Sequence, residues 1–139
     1  MYKGQLLNSE ILQILSKMGH SDQIAIGDAG LPIPNNIQRI DLALTYGIPS
    51  FMQVFESLSK DMQIEKVILA EEIIYRNPDL HRQVLKQIEK FEQLQKNTIE
   101  TAYITHEMLK VQTHHCKAVI RTGECSPFAN IILQSGVIF

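Results

Sequence analysis

Apolar residues recur along the chain with two different spacings, one typical of helices and one typical of strands. Four segments carry apolar side chains three or four positions apart, which predicts amphipathic helices. They are preceded by residues that cap or start helices: Asn8 or Ser9, Ser50, Asn77-Pro78 and Thr105. Ser50 and Gln53 also form a capping box, in which each side chain bonds the backbone N–H of the other residue.

Short apolar runs between these helices predict strands, at residues 24–26, 39–44, 67–70, 99–104, 118–120 and 131–133. Residues 67–70 are apolar throughout, which is typical of a strand covered on both faces. Strands that alternate with amphipathic helices predict an α/β fold, a three-layer α/β/α sandwich with a mostly parallel mixed sheet. The connection from Ile120 to Ile131 is too short for a helical crossover, so we expect the last two strands to be antiparallel neighbours.

Length and composition are those of one globular domain, which we expect to span residues 1–139. Of these residues 45% are hydrophobic and 20% are charged, and a chain of this length can bury a core without disulfides or metals. The net charge of −2 and the lack of a Lys- or Arg-rich run argue against a nucleic-acid partner. No apolar run approaches the roughly 20 residues of a membrane span, so no membrane partner is expected.

The cysteines and the C-terminus give two further expectations. Two cysteines, Cys116 and Cys125, are too few for a disulfide framework. Free thiols and the lack of a signal-peptide pattern indicate a cytoplasmic protein. The last residues, 137–139, are apolar, whereas chain ends are usually polar and loose. We therefore expect this tail to be buried in the fold or against another subunit.

Polar residues that follow the predicted strands are the first candidates for chemistry, because open α/β sheets bind ligands at the carboxyl ends of their strands. Asp28 lies in a tight loop between Gly27 and Gly30. It either hydrogen-bonds its own turn or accepts hydrogen bonds from ligand hydroxyls. His106 lies in the first turn of a predicted helix, where the dipole disfavours imidazolium. It is either incidental there or a neutral ring that donates one hydrogen bond and accepts another.

His20 precedes the first strand, eight positions before Asp28. An imidazole gives and takes a proton near neutral pH, so His20 is a candidate acid–base group. The alternative is a solvated residue that is stabilised by the C-terminal end of the preceding helix.

Three further groups carry weaker signals. The pair Glu71-Glu72 follows a strand and acts either as paired carboxylates or as a solvated strand end. His81 is expected on the exposed side of its helix. The run His114-His115-Cys116 lacks a second ligand pair at zinc-site spacing, and no nucleotide or acyl-enzyme motif occurs. We therefore expect no metal and no cofactor.

Six fragments, spread over essentially the whole chain, resemble the ribose and fucose mutarotase family. They are MGHSD at 18–22, DAGLPIP at 28–34, RID at 39–41, GIPSFMQV at 47–54, THE at 105–107 and IRTGECSPFANIIL at 120–133. The fucose branch carries a histidine after the Asp-Ala pair, where this chain has Gly30. The resemblance is therefore to the ribose branch.

The resemblance implies an isomerase that interconverts the pyranose and furanose forms of D-ribose after import and supplies furanose for catabolism. It implies His20 as the catalytic residue that transfers the proton. The implied sugar-binding residues are Asp28, His106, Lys110, Phe128, Ala129 and Asn130. The implied assembly is a homodecamer of two stacked pentamers. The family usually has tyrosine where this chain has Phe128, so any hydrogen bond of that hydroxyl is missing here.

The chemistry of ring-size exchange fits these residue types. The hemiacetal must open to the aldehyde while one group protonates the ring oxygen and another deprotonates the anomeric hydroxyl. The reaction is neutral overall, so it needs no redox partner, nucleotide or metal. A mutarotase of another monosaccharide, a non-catalytic sugar-binding accessory of ribose uptake and a structural ring subunit are the alternatives.

Overall fold

Strands and helices alternate along the computed structural model, which describes residues 1–139. The strands are β1 (Gln23–Gly27), β2 (Gln38–Asp41), β3 (Ile64–Ala70), β4 (Glu100–Ile104), β5 (Ala118–Arg121) and β6 (Ile131–Ser135). The α-helices are α1 (Ser9–Lys17), α2 (Phe51–Ser59), α3 (Ile73–Arg76), α4 (Pro78–Gln95) and α5 (His106–Gln112), and a 3₁₀ turn, Thr113–His115, follows α5. The six predicted strands and four predicted helices are confirmed, while α3 is an additional single turn.

The six strands form one mixed sheet in the order β2-β5-β1-β6-β3-β4. All neighbouring pairs are parallel except those of β6, which is antiparallel to both β1 and β3. The predicted α/β fold with a mostly parallel mixed sheet is therefore confirmed.

The prediction that β5 and β6 are neighbours is wrong, because β1 lies between them. The chain from β5 crosses the carboxyl end of β1 before it enters β6. Thr122 holds this crossing, since both its backbone N–H and its hydroxyl donate to the carbonyl oxygen of Gly27, at 3.0 and 2.8 Å. A connection too short for a helix is thus long enough to pass over one strand.

The two faces of the sheet carry cores of different size. Alternate strand residues such as Ile26, Leu69 and Leu133 point into the larger core, which α1, α2 and α4 cover. There the rings of Phe55 and Phe91 meet edge to face, with centroids 5.5 Å apart. The strand residues that alternate with these, such as Ala25, Ile68, Val119 and Ile132, point to the opposite face. There they form a smaller core with Leu109 of α5. Helices on both faces make the three predicted layers.

Local capping interactions explain where the helices begin. The side chain of Asn8 accepts from Ile11 N–H at the start of α1, and the capping box of Ser50 with Gln53 opens α2. Thr105 Oγ1 accepts from Met108 N–H at the start of α5. The caps predicted from sequence are therefore confirmed for these three helices.

None of the helices could span a bilayer, because none is both long enough and apolar enough.

Two local predictions are wrong. The second strand ends at Asp41, because the backbone then turns to the exposed Thr45–Ile48 bridge and leaves Leu44 in solvent.

His81 is half-buried rather than exposed, since its ring Nε2 lies 2.7 Å from the Tyr103 hydroxyl on the edge strand β4. Burial there lowers the pKa of His81 and raises that of Tyr103.

The C-terminal tail is not buried within the chain. Its last backbone hydrogen bond is donated by Gly136 N–H to the carbonyl oxygen of Gln63. Beyond it Ile138 is 87% exposed and Phe139 is fully exposed, so the first alternative for this tail is wrong. Contact with another subunit stays a prediction.

Candidate functional site

Asp28 and Asn130 form the centre of the candidate site at the carboxyl end of β1. They lie 102 positions apart and meet because β6, which follows Asn130, runs antiparallel to β1. Asn130 Oδ1 accepts from the backbone N–H of Asp28 at 2.9 Å, and its Nδ2 donates to Asp28 Oδ2 at 3.0 Å. Asp28 Oδ1 accepts from Gly30 N–H at 2.9 Å. Asp28 thus makes its own turn and also presents an oriented carboxylate with lone pairs left for a ligand.

His106 lies at the first position of α5, and its backbone is fixed from outside the helix. Both carboxylate oxygens of Glu72 accept from its N–H, at 3.1 and 3.0 Å. The ring stands edge-on to Phe128, with centroids 5.1 Å apart and planes at 87°. His106 Nδ1 is buried and has no hydrogen-bond partner in the chain. A buried polar nitrogen without a partner is costly, so a bound polar group would satisfy it.

Phe128 is held in a backbone conformation that non-glycine residues rarely adopt, with φ at 57°. Asn77 holds the turn in front of it, because its Nδ2 donates to Ser126 Oγ at 3.0 Å and to the Pro127 carbonyl at 2.8 Å. Strained backbone persists only where its surroundings fix it, and it is common at binding sites. The neighbouring Ala129 is fully buried in the larger core and anchors this turn.

Lys110 lies one helical turn after His106, on the same side of α5. Its ammonium forms an ion pair with Glu107 Oε1 at 2.6 Å. It lines a small cleft with the stiff 32–34 loop, whereas a separate cleft of about 290 Å³ borders Asp28 and the 124–127 turn. In a single chain, Lys110 therefore lines a different cleft from the one that Asp28 borders.

His20 lies at the opposite end of β1 from Asp28. The five residues of β1 separate them, which corresponds to about 17 Å of extended chain. The His20 ring contacts Glu65, with Nε2 2.8 Å from Oε2, and its side chain is 60% exposed. One chain thus brings Asp28, His106, Phe128, Ala129 and Asn130 together but does not bring His20 to them.

Glu124 ties three segments of the site together. Its Oε2 accepts from Phe51 N–H at the start of α2, its Oε1 accepts from Ser126 N–H, and its carbonyl accepts from Ala29 N–H. Burial raises the pKa of this carboxyl, but hydrogen bonds from the backbones of Phe51, Ser126 and Cys125 outweigh it and lower the pKa below 4.5. Glu124 is therefore a partly buried anion that stabilises the turn before Phe128.

The contacts that Glu72, Asn77 and Glu65 make around the site were not predicted from the sequence. Glu71-Glu72 was expected either as paired carboxylates or as a solvated strand end. In the structure Glu71 is exposed, whereas the Glu72 carboxylate accepts from the backbone N–H of His106 at the start of α5. Asn77 was recognisable as a helix start, but its side chain serves the 126–127 turn instead of the helix. No sequence pattern indicated a role for Glu65, since it is one polar residue within a strand.

The chain is similar over its whole length to known proteins. Residues 1–138 match the RbsD / FucU transport protein family. The D-ribose pyranases of Photorhabdus laumondii and Yersinia enterocolitica are 59% and 58% identical to it over 139 residues, which is 100% of each chain. The structure of Bacillus subtilis RbsD complexed with D-ribose has a TM-score of 0.85 to this one, at 44% identity and with 100% of both chains covered.

We expect Glu124→Gln to lower the free energy of unfolding at pH 7 by about 1–3 kcal/mol, because it weakens charge-assisted hydrogen bonds. The pKa of Glu124 is lowered in the folded state, so its contribution is present above pH 4.5 and is lost as the pH falls through the folded value. The difference between variant and wild type should therefore shrink toward pH 3. Urea unfolding at one protein concentration measures it, with the exposed Glu89→Gln as control. A difference that is constant with pH would contradict this role.

Proposed function

The chain belongs to the RbsD / FucU transport protein family, and from this membership we propose that it is a D-ribose pyranase. Such an isomerase interconverts the pyranose and furanose forms of D-ribose by opening and reclosing the ring. The observation that carries the proposal is the full-length match to Bacillus subtilis RbsD complexed with D-ribose. Identities of 58–59% to D-ribose pyranases, again over whole chains, support it.

The cluster at the carboxyl end of β1 supports binding of a small polyhydroxylated ligand. Asp28 offers an oriented acceptor, and the buried Nδ1 of His106 lacks a partner. The ring of Phe128 offers an apolar surface for the C–H groups of a sugar. We assign Asp28, His106, Phe128, Ala129 and Asn130 to ribose binding, with Lys110 at the margin. Polar groups in fixed directions beside one apolar surface are what a sugar site requires.

Ring opening moves one proton from the anomeric hydroxyl to the ring oxygen as the bond between the anomeric carbon and that oxygen breaks. His20 is the residue we assign to this transfer, because imidazole can accept and return a proton near neutral pH. The aldehyde then closes with a different hydroxyl of the sugar by the reverse steps, which gives a ring of the other size. Atoms and charge balance without a cofactor, because the proton that leaves the anomeric hydroxyl is matched by the proton that the ring oxygen gains.

The separation of His20 from Asp28 supports an oligomer in which the site is shared. No movement of a side chain spans about 17 Å of strand, so a catalytic His20 would act on sugar held by another subunit. In a cyclic assembly the same two unlike patches meet at every interface, so one arrangement of this kind would bring the His20 end of β1 beside the Asp28 end of β1 in the next subunit. The exposed apolar tail 137–139 is a further surface that an interface would cover.

We therefore propose a homo-oligomer, and the resemblance to the mutarotase family implies a decamer of two stacked pentamers. We also place the protein in the cytoplasm, where imported ribose would be its substrate. The two unpaired cysteines agree with that compartment, and burial raises the pKa of the Cys116 thiol to about 12, which keeps it unreactive.

The activity is tested by saturation transfer between the pyranose and furanose NMR signals of ribose. Wild-type protein should speed the exchange, whereas His20→Ala should lower the rate about a hundredfold or more, with unchanged circular dichroism. A binding accessory would leave exchange at the rate of free ribose. Running L-fucose in parallel separates a ribose pyranase from a mutarotase of another sugar.

The shared site is tested by mixing two inactive variants, His20→Ala and His106→Ala. If each site takes His20 from one subunit and His106 from another, rings refolded from an equal mixture contain about one intact site in four. The mixture should then regain about a quarter of wild-type exchange. A mixture as inactive as its parents, although light scattering shows mixed oligomers, would contradict a shared site.

Phe128→Tyr tests the apolar contact. The chain packs Phe128 against His106 without a polar partner, so we expect the variant to fold normally. One added hydrogen bond to the sugar should tighten ribose binding by about 0.5–1.5 kcal/mol, measured by calorimetry. Weaker binding by an intact protein would show that the pocket has no room for the hydroxyl.

A further inference from the structure

The ring of His20 has a single hydrogen-bond partner in the chain, the carboxylate of Glu65. Nε2 lies 2.8 Å from Oε2, and the two side chains are 60% and 31% exposed. The residues are 45 positions apart, and the sheet brings them together at the end of β1 where β3 begins. An exposed imidazole that is only solvated would not need such a partner.

Glu65 is itself held by a chain of side-chain amides that crosses the sheet. Gln134 Nε2 donates to Glu65 Oε1 at 2.7 Å, Gln23 donates to Gln134 at 2.9 Å, and Gln112 donates to Gln23 at 2.7 Å. An ionised carboxylate can only accept, so Gln134 must turn its NH₂ toward Glu65, and each following amide is oriented in the same sense. The hydrogen bond from Gln134, reinforced by that from His20, outweighs partial burial and lowers the pKa of Glu65. Glu65 is therefore an oriented anion at neutral pH.

The backbone on either side of His20 is fixed as well. Asp22 Oδ2 accepts from Gly19 N–H at 2.9 Å, while its Oδ1 pairs with Lys117 at 3.2 Å. Ser21 adopts a left-handed φ of 64° and donates its N–H to the Ser135 carbonyl at 2.8 Å. A loop that is exposed but tied at three points gives the ring one defined position.

We propose that Glu65 is a positioning residue for proton transfer by His20, an inference that rests on the proposed function. Because Glu65 only accepts, the neutral ring carries its proton on Nε2, and Nδ1 is left as the nitrogen that exchanges a proton with the sugar. Nδ1 takes the proton of the anomeric hydroxyl as the bond to the ring oxygen breaks and gives it to that oxygen. The imidazolium formed between these steps is stabilised by the adjacent carboxylate.

The test measures exchange and ribose affinity for Glu65→Ala and Glu65→Gln. We expect Glu65→Ala to lower the exchange rate about ten- to a hundredfold, with Glu65→Gln between it and wild type. The ribose Kd from calorimetry should stay within about twofold of wild type, because Glu65 acts on proton transfer and not on binding. In a His20→Ala background, Glu65→Ala should cause no further loss, since the two residues act as one unit.

Glu100→Gln is the matched control, because it also removes one carboxylate of an ion pair, with Lys66 on the neighbouring strand, and should keep wild-type exchange. Light scattering checks that each variant keeps the wild-type mass. A wild-type exchange rate in Glu65→Ala would overturn the proposal. So would a fall in exchange rate that Glu65→Ala causes equally in the wild-type and His20→Ala backgrounds, or a ribose affinity that weakens in proportion to the rate. If wild-type protein itself does not speed exchange, the proposed function fails, and the wild-type sample alone reveals that.

Discussion

The placement of β6 between β1 and β3 is the constraint on which the rest of the site depends. A sheet of parallel strands alone would bring only strand ends to its carboxyl edge. The antiparallel β6 brings the start of a strand there, so Asn130 lies directly beside Asp28. The Asn130 side chain is fully buried, and leaving its amide unpaired would cost about 1–3 kcal/mol. Its two hydrogen bonds to Asp28 are therefore enforced by burial, and they fix the carboxylate before any ligand arrives.

The other two side chains of the candidate cluster, His106 and Phe128, are fixed by side chains from a short segment after β3. Glu72 holds the backbone of His106, and Asn77 holds the turn before Phe128, so one stretch of chain sets the spacing between the two packed rings. Glu124 secures the same turn from the other side. A binding site assembled from fixed parts loses little conformational freedom when it binds, which is how a small sugar can be held by few contacts.

The same sheet keeps the acid–base candidate away from the binding cluster. His20 and its partner Glu65 lie at one end of β1, and Asp28 lies at the other. Residues on opposite ends of one strand cannot approach each other by local motion. In the shared site that we propose, function and assembly are therefore linked, because each subunit would carry both groups but complete no site by itself. The exposed tail that follows β6 belongs to the same end of the molecule as His20.

The sequence by itself determined the elements and their class. Apolar spacing, the caps at Asn8, Ser50 and Thr105 and the alternation of helices with strands follow from interactions between residues close in the chain, which a linear pattern records. The resemblance to known mutarotases named candidate site residues. Only the tertiary structure decided that β6 pairs with β1, that His81 meets Tyr103, that Glu72 and Asn77 serve the site and that Glu65 holds His20. These contacts join residues between 22 and 111 positions apart. They depend on strand order and on hydrogen-bond direction in three dimensions, and no local periodicity encodes either of these.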